Sequence, residues 1–321
     1  MKVLITREIP RAGVDLLRKH PSLELDIRKG PPLSEAELIK AVDGKDAIVS
    51  VLPDQINEKV LNAGKPTLRL VANYAVGFDN IDIKTAASLG IYVSNTPGNL
   101  TESVAEHALA LMISSARNIV QADKYVRAGS YKYWSPMLFL GPVLTKKTLG
   151  IIGFGRIGQY LAKIAKGGFD MRILYHDIQR FDKGEQEIGA MYTSLDDLLE
   201  NSDFISIHVN LMPSTKHLIG ERELKKMKPT AYLINTSRGQ VIDEAALYTA
   251  LKDGWIEGAG IDVYENEPKI YSGLTELDNV TLTPHIGSAT REARVEMSRM
   301  VAENVVEVLI NGRPPKNLIK P

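Results

Sequence analysis

The sequence predicts an α/β protein made of two doubly wound, parallel-sheet domains with a cleft between them, and three observations carry that expectation. Short β-branched runs alternate with helical patterns along almost the whole chain, which is the signature of parallel strands crossed over by helices. The alternation is interrupted once, at Thr96-Pro97-Gly98-Asn99, and then resumes after a long helical stretch. The length of 321 residues suits about two domains, each with a core of its own.

The elements follow in order. Val3–Thr6 reads as a strand before the helical Arg11–His20, and Leu23–Ile27 before Ser34–Val42. Ala47–Leu52 precedes Asn57–Asn62, Leu68–Asn73 precedes Ile83–Leu89, and Ile91–Asn95 closes the set. Ser34 and Glu37 have capping-box spacing, and Gly90 stops the helix before it. This first unit lacks a phosphate-binding glycine pattern. Thr101 to Ala128 reads as one long connector helix, followed by a loop from Gly129 to Pro142 that carries Tyr131, Tyr133, Trp134 and Phe139. Exposed aromatics in a loop mark an interface or a lid, or pack beneath the neighbouring helix. Later come helical Asp196–Asn201, Glu221–Met227 and Glu244–Leu251, strands Phe204–Val209, Ala231–Asn235, Gly258–Val263 and Val280–Leu282, and a final helix from Thr290 to Asn311.

Composition narrows the class of partner. Lys+Arg and Asp+Glu both number 39, so nothing points to nucleic acid or an anionic membrane. No apolar run approaches the roughly 18 residues of a membrane span. The first residues read directly as a strand rather than as a secretion signal, and cysteine is absent, which excludes disulfides, thiol nucleophiles and thiolate metal sites. No His/Asp/Glu spacing resembles a metal site. A cytosolic enzyme acting on a small molecule fits these facts.

The stretch from Thr148 to Asp177 is the most informative. An apolar run, Leu149-Gly150-Ile151-Ile152, leads into Gly153-Phe154-Gly155-Arg156-Ile157-Gly158, then a helical pattern, then a second apolar run ending at Asp177. Glycines at this spacing are common by chance; between a strand and a helix, with an acid about twenty residues on, they form a dinucleotide-binding βαβ unit of the Rossmann type. Gly153 permits the tight turn, Gly155 lets backbone approach a pyrophosphate, and Gly158 allows close helix-on-strand packing. The phosphates then sit on a helix N-terminus. Asp177 is placed to accept from both ribose hydroxyls, and a 2′-phosphate would meet its charge, so NAD is expected over NADP. Arg180 lies close enough to weaken that preference.

Ligands of such sheets bind beyond the carboxyl ends of the strands, and three late strand ends carry chemistry. Arg238 follows Ile234-Asn235-Thr236-Ser237, Asp262 and Glu267 follow the next strand, and His285 follows the last. Arg clamps carboxylates, His moves protons near neutrality, and a nearby Glu favours the imidazolium. Singly, such an Arg is usually a surface ion pair and such a His structural; together, behind a dinucleotide fingerprint, they form a dehydrogenase site for a 2-oxo acid. His20, His107, His176, His208 and His217 are not expected to be catalysts.

These motifs resemble the D-isomer-specific 2-hydroxyacid dehydrogenases, and within them the glyoxylate/hydroxypyruvate reductases, over nearly the whole chain. Val71-Ala72-Asn73-Tyr74-Ala75-Val76-Gly77-Phe78-Asp79-Asn80 looks like the family's substrate loop; the glycine motif, Asn235-Thr236-Ser237-Arg238-Gly239 and Thr283-Pro284-His285-Ile286-Gly287-Ser288 match its other signatures. The resemblance implies that Arg238 binds substrate, His285 is the acid/base, Glu267 is its partner, and Asn73, Val76, Gly77 and Trp134 belong to the substrate site, Trp134 by reaching a partner subunit's pocket. It implies a cofactor set of Gly153, Gly155, Arg156, Ile157, Gly158, Asp177, His208, Val209, Thr236, Asp262, His285 and Gly287, with Asp262 on the nicotinamide amide. It also implies a flavodoxin-like substrate domain (residues 1–98 and 288–321), a Rossmann domain (99–287) and a homodimer. Asn210 and Met212 stand where the family often has Pro and Thr, and Asp177 stands where many glyoxylate reductases have a small polar residue followed by Arg, which argues for NADH. The expected reaction is reduction of glyoxylate or hydroxypyruvate to the D-2-hydroxy acid. The rivals are a relative acting on D-lactate, phosphoglycerate or phosphite, and a non-enzymatic NAD-sensing binder.

Overall fold

The computed structural model describes residues 1–98 and 100–320. The chain divides into two compact units, Met1–Leu100 with Ala289–Pro321, and Thr101–Ser288. The boundary expected at 98/99 touches Asn99, which lies outside the described residues.

In chain order the elements are β1 (Lys2–Ile5), α1 (Arg11–Arg18), β2 (Glu24–Ile27), α2 (Glu35–Val42), β3 (Ala47–Ser50), α3 (Glu58–Ala63), β4 (Leu70–Asn73), α4 (Ile83–Ser88) and β5 (Tyr92–Ser94). Next come α5 (Thr101–Ala116), α6 (Ile119–Arg127), β6 (Thr148–Ile152), α7 (Arg156–Phe169), β7 (Arg172–His176), α8 (Asp182–Ile188), β8 (Met191–Tyr192), α9 (Leu195–Asn201) and β9 (Phe204–Ile207). The series ends with α10 (Glu221–Lys226), β10 (Tyr232–Asn235), α11 (Glu244–Lys252), β11 (Gly258–Ile261), β12 (Val280–Leu282) and α12 (Arg291–Leu309).

The first unit is a five-stranded sheet in the order β2-β1-β3-β4-β5, parallel throughout. Its inner strands β3 and β4 are buried along their whole length, as in a sheet covered by helices on both faces; on one face Leu4, Ile48, Val71 and Val93 pack with Leu38, Val60 and Ala86. The capping box is present, with Ser34 N–H donating to Glu37 Oε2 at 2.8 Å. Helix α12 packs within this unit, where Tyr74 donates to the Arg294 carbonyl at 2.8 Å.

The second unit is a seven-stranded parallel sheet in the order β12-β11-β10-β9-β6-β7-β8. Alternate residues of one strand feed opposite cores: Leu149 and Ile151 join Phe154, Leu161 and Leu111, while Ile152 joins Ile207, Leu233 and Leu247. The strand order reverses between β6 and β9, so the loops after those two strands open the crevice where ligands of such sheets bind.

Two expectations need correction. The stretch from Thr101 to Ala128 is two helices, because Asn118 adopts a left-handed conformation (φ +52°) between α5 and α6, a conformation that Asn tolerates better than most residues. Helix α8 and edge strand β8 had no counterpart in the sequence pattern; both are short and largely exposed, so they carry little apolar periodicity.

Candidate active site

The glycine turn shows why each position is glycine. Gly153 has φ +91°, and a Cβ there would lie 2.7 Å from the His208 backbone carbon. It is the point where the loops after β6 and β9 touch. A Cβ on Gly158 would lie 2.4 Å from the Gly153 oxygen, so α7 can approach β6 only without one. Around Gly155 a Cβ meets nothing within 4 Å, and Gly155 gives α7 no side-chain cap. The first turn of α7, with exposed Arg156 and half-buried Ile157, therefore keeps amides available to an anion at an open cradle. These residues fit a dinucleotide pyrophosphate. Asp177, at the end of β7, accepts the Phe154 N–H at 2.7 Å, tying the second strand's acid to the glycine turn. Thr236 Oγ1, just past β10, is buried without a hydrogen-bond partner.

His208 and Val209 follow β9 and are half-buried. Ser206 Oγ lies 2.9 Å from His208 Nε2, and burial pushes the imidazole down to about 4. His208 is thus neutral at physiological pH, which suits a structural or cofactor-lining role rather than proton transfer.

Beyond β10, Asn235 folds the turn that presents Arg238. Its Oδ1 accepts the Ser237 N–H at 3.0 Å and the Ser237 hydroxyl at 2.8 Å, and its Nδ2 donates to the Arg238 carbonyl at 2.9 Å. This is an Asx-type turn. Gly239 is required by close approach, since a Cβ would lie 1.8 Å from the Tyr264 carbonyl carbon. The Arg238 guanidinium donates to the Ser237 carbonyl at 2.8 Å.

Beyond β11, Glu267 accepts the Tyr264 N–H on Oε1 at 3.0 Å and pairs through Oε2 with His285 Nδ1 at 2.8 Å. The loop between them is braced by Glu244, whose buried carboxyl accepts the Glu265 N–H at 2.8 Å. With Nδ1 committed to Glu267, the ring's Nε2 is the nitrogen left to exchange a proton with a ligand.

Asp262 organises the loop that carries His285. It is 1% exposed. Oδ1 accepts from the Thr283 hydroxyl at 2.6 Å and the Ile286 N–H at 2.8 Å, and Oδ2 from the Gly287 N–H at 2.8 Å. The His285 N–H donates to the Asp262 carbonyl at 2.8 Å. On the far side, His107 Nε2 from α5 lies 3.2 Å from Oδ1 and 3.1 Å from Thr283 Oγ1. Burial opposes ionisation of Asp262, but the bonds from His107, Thr283 and Ile286 outweigh it and hold the carboxyl below its usual range. His285 has φ +54°, a left-handed conformation that costs a β-carbon residue on the order of 1–3 kcal/mol and persists only where its surroundings fix it. The ring of donors around Asp262 is that surrounding.

In the first unit, Asn73 ends β4 with no exposed surface. Its Nδ2 donates to the Gly77 carbonyl at 2.9 Å and its Oδ1 accepts from Ser50 Oγ at 2.9 Å, so it shapes the loop from inside. Val76 is partly exposed, its carbonyl accepting from Asn95 at 2.8 Å. Trp134 is 75% exposed. Sequence reasoning missed Glu244, Thr283 and the structural part of His107, which act by long-range packing that no local spacing reveals; it also read Asn235 only as a strand end, although an Asn before Thr236 and Ser237 is a turn signal.

A model of the D-isomer specific 2-hydroxyacid dehydrogenase NAD-binding domain matches residues 109–287. A glyoxylate reductase of Thermococcus litoralis is 50% identical, with 99% of this chain and 96% of that protein aligned. Among solved structures, the TT0316 protein of Thermus thermophilus superposes with a TM-score of 0.93 at 40% identity over 100% of both chains. An NADPH-dependent glyoxylate/hydroxypyruvate reductase of Sinorhizobium meliloti, solved with NADP and malonate, superposes with a TM-score of 0.86 at 31% identity over 99% of this chain and 96% of that one. The chain belongs to the D-isomer specific 2-hydroxyacid dehydrogenases and carries that family's NAD-binding domain.

Proposed function

We propose that the protein reduces glyoxylate or hydroxypyruvate to the D-2-hydroxy acid, using NADH in preference to NADPH. The observation that carries the reading is the 2.8 Å pair between His285 Nδ1 and Glu267 Oε2, on the strand-end side that also presents Arg238 and the glycine cradle. The dinucleotide, when bound, supplies the hydride. Arg238 clamps the substrate carboxylate with two parallel N–H bonds and orients its carbonyl. His285, oriented through Nδ1 by Glu267, donates the Nε2 proton to the carbonyl oxygen as charge develops there. In the reverse direction the neutral ring removes the hydroxyl proton. Asn73 acts indirectly, holding the loop whose amides at Val76 and Gly77 are assigned to the carboxylate.

The cofactor reading rests on Asp177, whose carboxylate would accept from ribose hydroxyls and repel a 2′-phosphate. Asp262 is buried within its own loop, so its assigned contact with the nicotinamide amide accompanies a positioning role toward His285. Trp134 and its neighbours Tyr133, Met137 and Leu140, all exposed, support a homodimer. No described helix is long and apolar enough to cross a membrane, in keeping with a cytosolic enzyme.

The test follows the loss of reduced-nicotinamide absorbance with NADH and with NADPH across glyoxylate, hydroxypyruvate, pyruvate and phosphonooxypyruvate. Fastest turnover with glyoxylate or hydroxypyruvate and NADH is the expected result. Best turnover with another acid moves the chain to a different member of the family, and no turnover with any of them favours an NAD-sensing binder.

A further inference from the structure

The residues just after Asp177 form an ion-pair cluster that the cofactor reading leaves unused. Arg180 is the first basic residue after the ribose-facing acid, and basic groups in that neighbourhood are what accommodate a 2′-phosphate. In this protein its guanidinium is engaged on two sides. Nε and Nη2 meet both carboxylate oxygens of Glu185, at 3.1 and 2.7 Å, and the same plane lies over the Tyr192 ring, 5.6 Å from its centroid. Glu185 is fixed in turn, accepting the Tyr175 hydroxyl at 2.6 Å. Tyr175 takes the Phe181 N–H at 2.9 Å and stacks on Phe154 of the glycine turn with centroids 4.1 Å apart.

An isolated surface ion pair is weak and easily exchanged. This one is a planar fork on a carboxylate that is braced from beneath, with one partner only 21% exposed, which makes it the kind of pair that holds its geometry. The Tyr192 hydroxyl also donates to the Asp177 carbonyl at 3.3 Å, so the cluster is tied to the ribose-facing residue itself. Meanwhile Ile178, between Asp177 and the Arg180 turn, projects fully into solvent and offers a 2′-phosphate no donor from its side chain.

We infer that Glu185 is a specificity-determining residue: by holding Arg180 against Tyr192 it withholds the local cation from a 2′-phosphate and so reinforces the preference for NAD set by Asp177. This rests on the NAD reading above and adds a second residue to it. Two elements thereby act on one position of the ligand. Asp177 repels the extra phosphate, and Glu185 removes the group that would compensate.

The test uses binding as its readout and needs no turnover. Calorimetry on the full chain compares AMP with adenosine 2′,5′-bisphosphate, in the wild type, Glu185→Gln and the double variant Glu185→Gln/Arg180→Ala. Gln keeps an acceptor for Tyr175 but loses the charge, so the aromatic cluster is retained. The expected result is a shift of about tenfold toward the bisphosphate in Glu185→Gln, equal to about 1.4 kcal/mol. The shift should shrink with added salt and disappear in the double variant. An unchanged ratio in Glu185→Gln overturns the inference, as does a shift that survives removal of Arg180. A wild type that prefers the bisphosphate contradicts the NAD reading alone, because the lock is still judged by whether the Glu185→Gln shift depends on Arg180.

Discussion

After β4, Asn73 holds its loop with a neutral carboxamide that spans Ser50, Gly77 and Asn80; after β11, Asp262 holds its loop with a charge that gathers Thr283, Ile286, Gly287 and His107. Both side chains are buried, both end a parallel strand, and both fix a loop assigned to ligand. The difference follows from what each loop must present. The first needs both a donor and an acceptor, because the groups it joins are a carbonyl, a hydroxyl and another amide. The second faces donors almost exclusively, and only an ionised acceptor satisfies four of them at once. It also supports a residue in a strained left-handed conformation, His285, which demands a stronger hold than the unstrained backbone after β4.

Substitutions can break that contrast at its ends. The largest effect is expected at the supported residue: His285→Ala lowers kcat by about 10²–10⁴-fold, the usual size of a general-acid contribution, in a steady-state assay with NADH and glyoxylate. Turnover within a few-fold of the wild type would remove His285 from its role. Exchanging the two organisers comes next. Asn73→Asp places an unpaired carboxylate against carbonyl oxygens and is expected to cost about 3–5 kcal/mol in urea unfolding. A change below 1 kcal/mol would mean the first loop is not held as described.

Asp262→Asn is expected to cost about 2–3 kcal/mol, since the carboxamide cannot accept from all four donors, with kcat falling more than KM rises because His285 loses its orientation. The loss depends on pH in a defined direction. The folded Asp262 carboxyl titrates below 3.8, so its contribution is complete above the unfolded value and is lost as pH falls through the folded one. Wild-type and Asp262→Asn unfolding energies therefore differ fully near neutrality and converge in acid. A gap that does not narrow as the pH falls into the acid range would contradict the charged-hub description. A smaller effect belongs to His208. Folded His208 gains its proton near 4 rather than 6.5; between those values the unfolded chain binds more protons, so stability is full above 6.5 and declines toward 4, by less than the roughly 3 kcal/mol of the whole shift because the half-buried ring is partly screened by solvent. His208→Asn should flatten that part of the stability profile.

How much of this was readable beforehand depended on the range of the interaction. The glycine turn, Arg238, Glu267 and His285 were legible because each sits at a strand end whose β-rich run is visible locally. The break at Asn118 was not, since the residues on either side share one helical pattern and only the left-handed Asn interrupts it. Helix α8 and strand β8 were missed for want of a buried stripe, although Glu185 and Tyr192, which frame Arg180, lie within them. His107 was set aside as a poor catalyst; that it closes the Asp262 cluster from α5 is a tertiary fact with no local spacing to announce it.

The most direct test of the whole account is chiral analysis of the product formed from hydroxypyruvate and NADH by the wild-type protein. D-Glycerate, formed in step with NADH oxidation, is the expected result. L-Glycerate, or no glycerate while a different reaction consumes NADH, would contradict it.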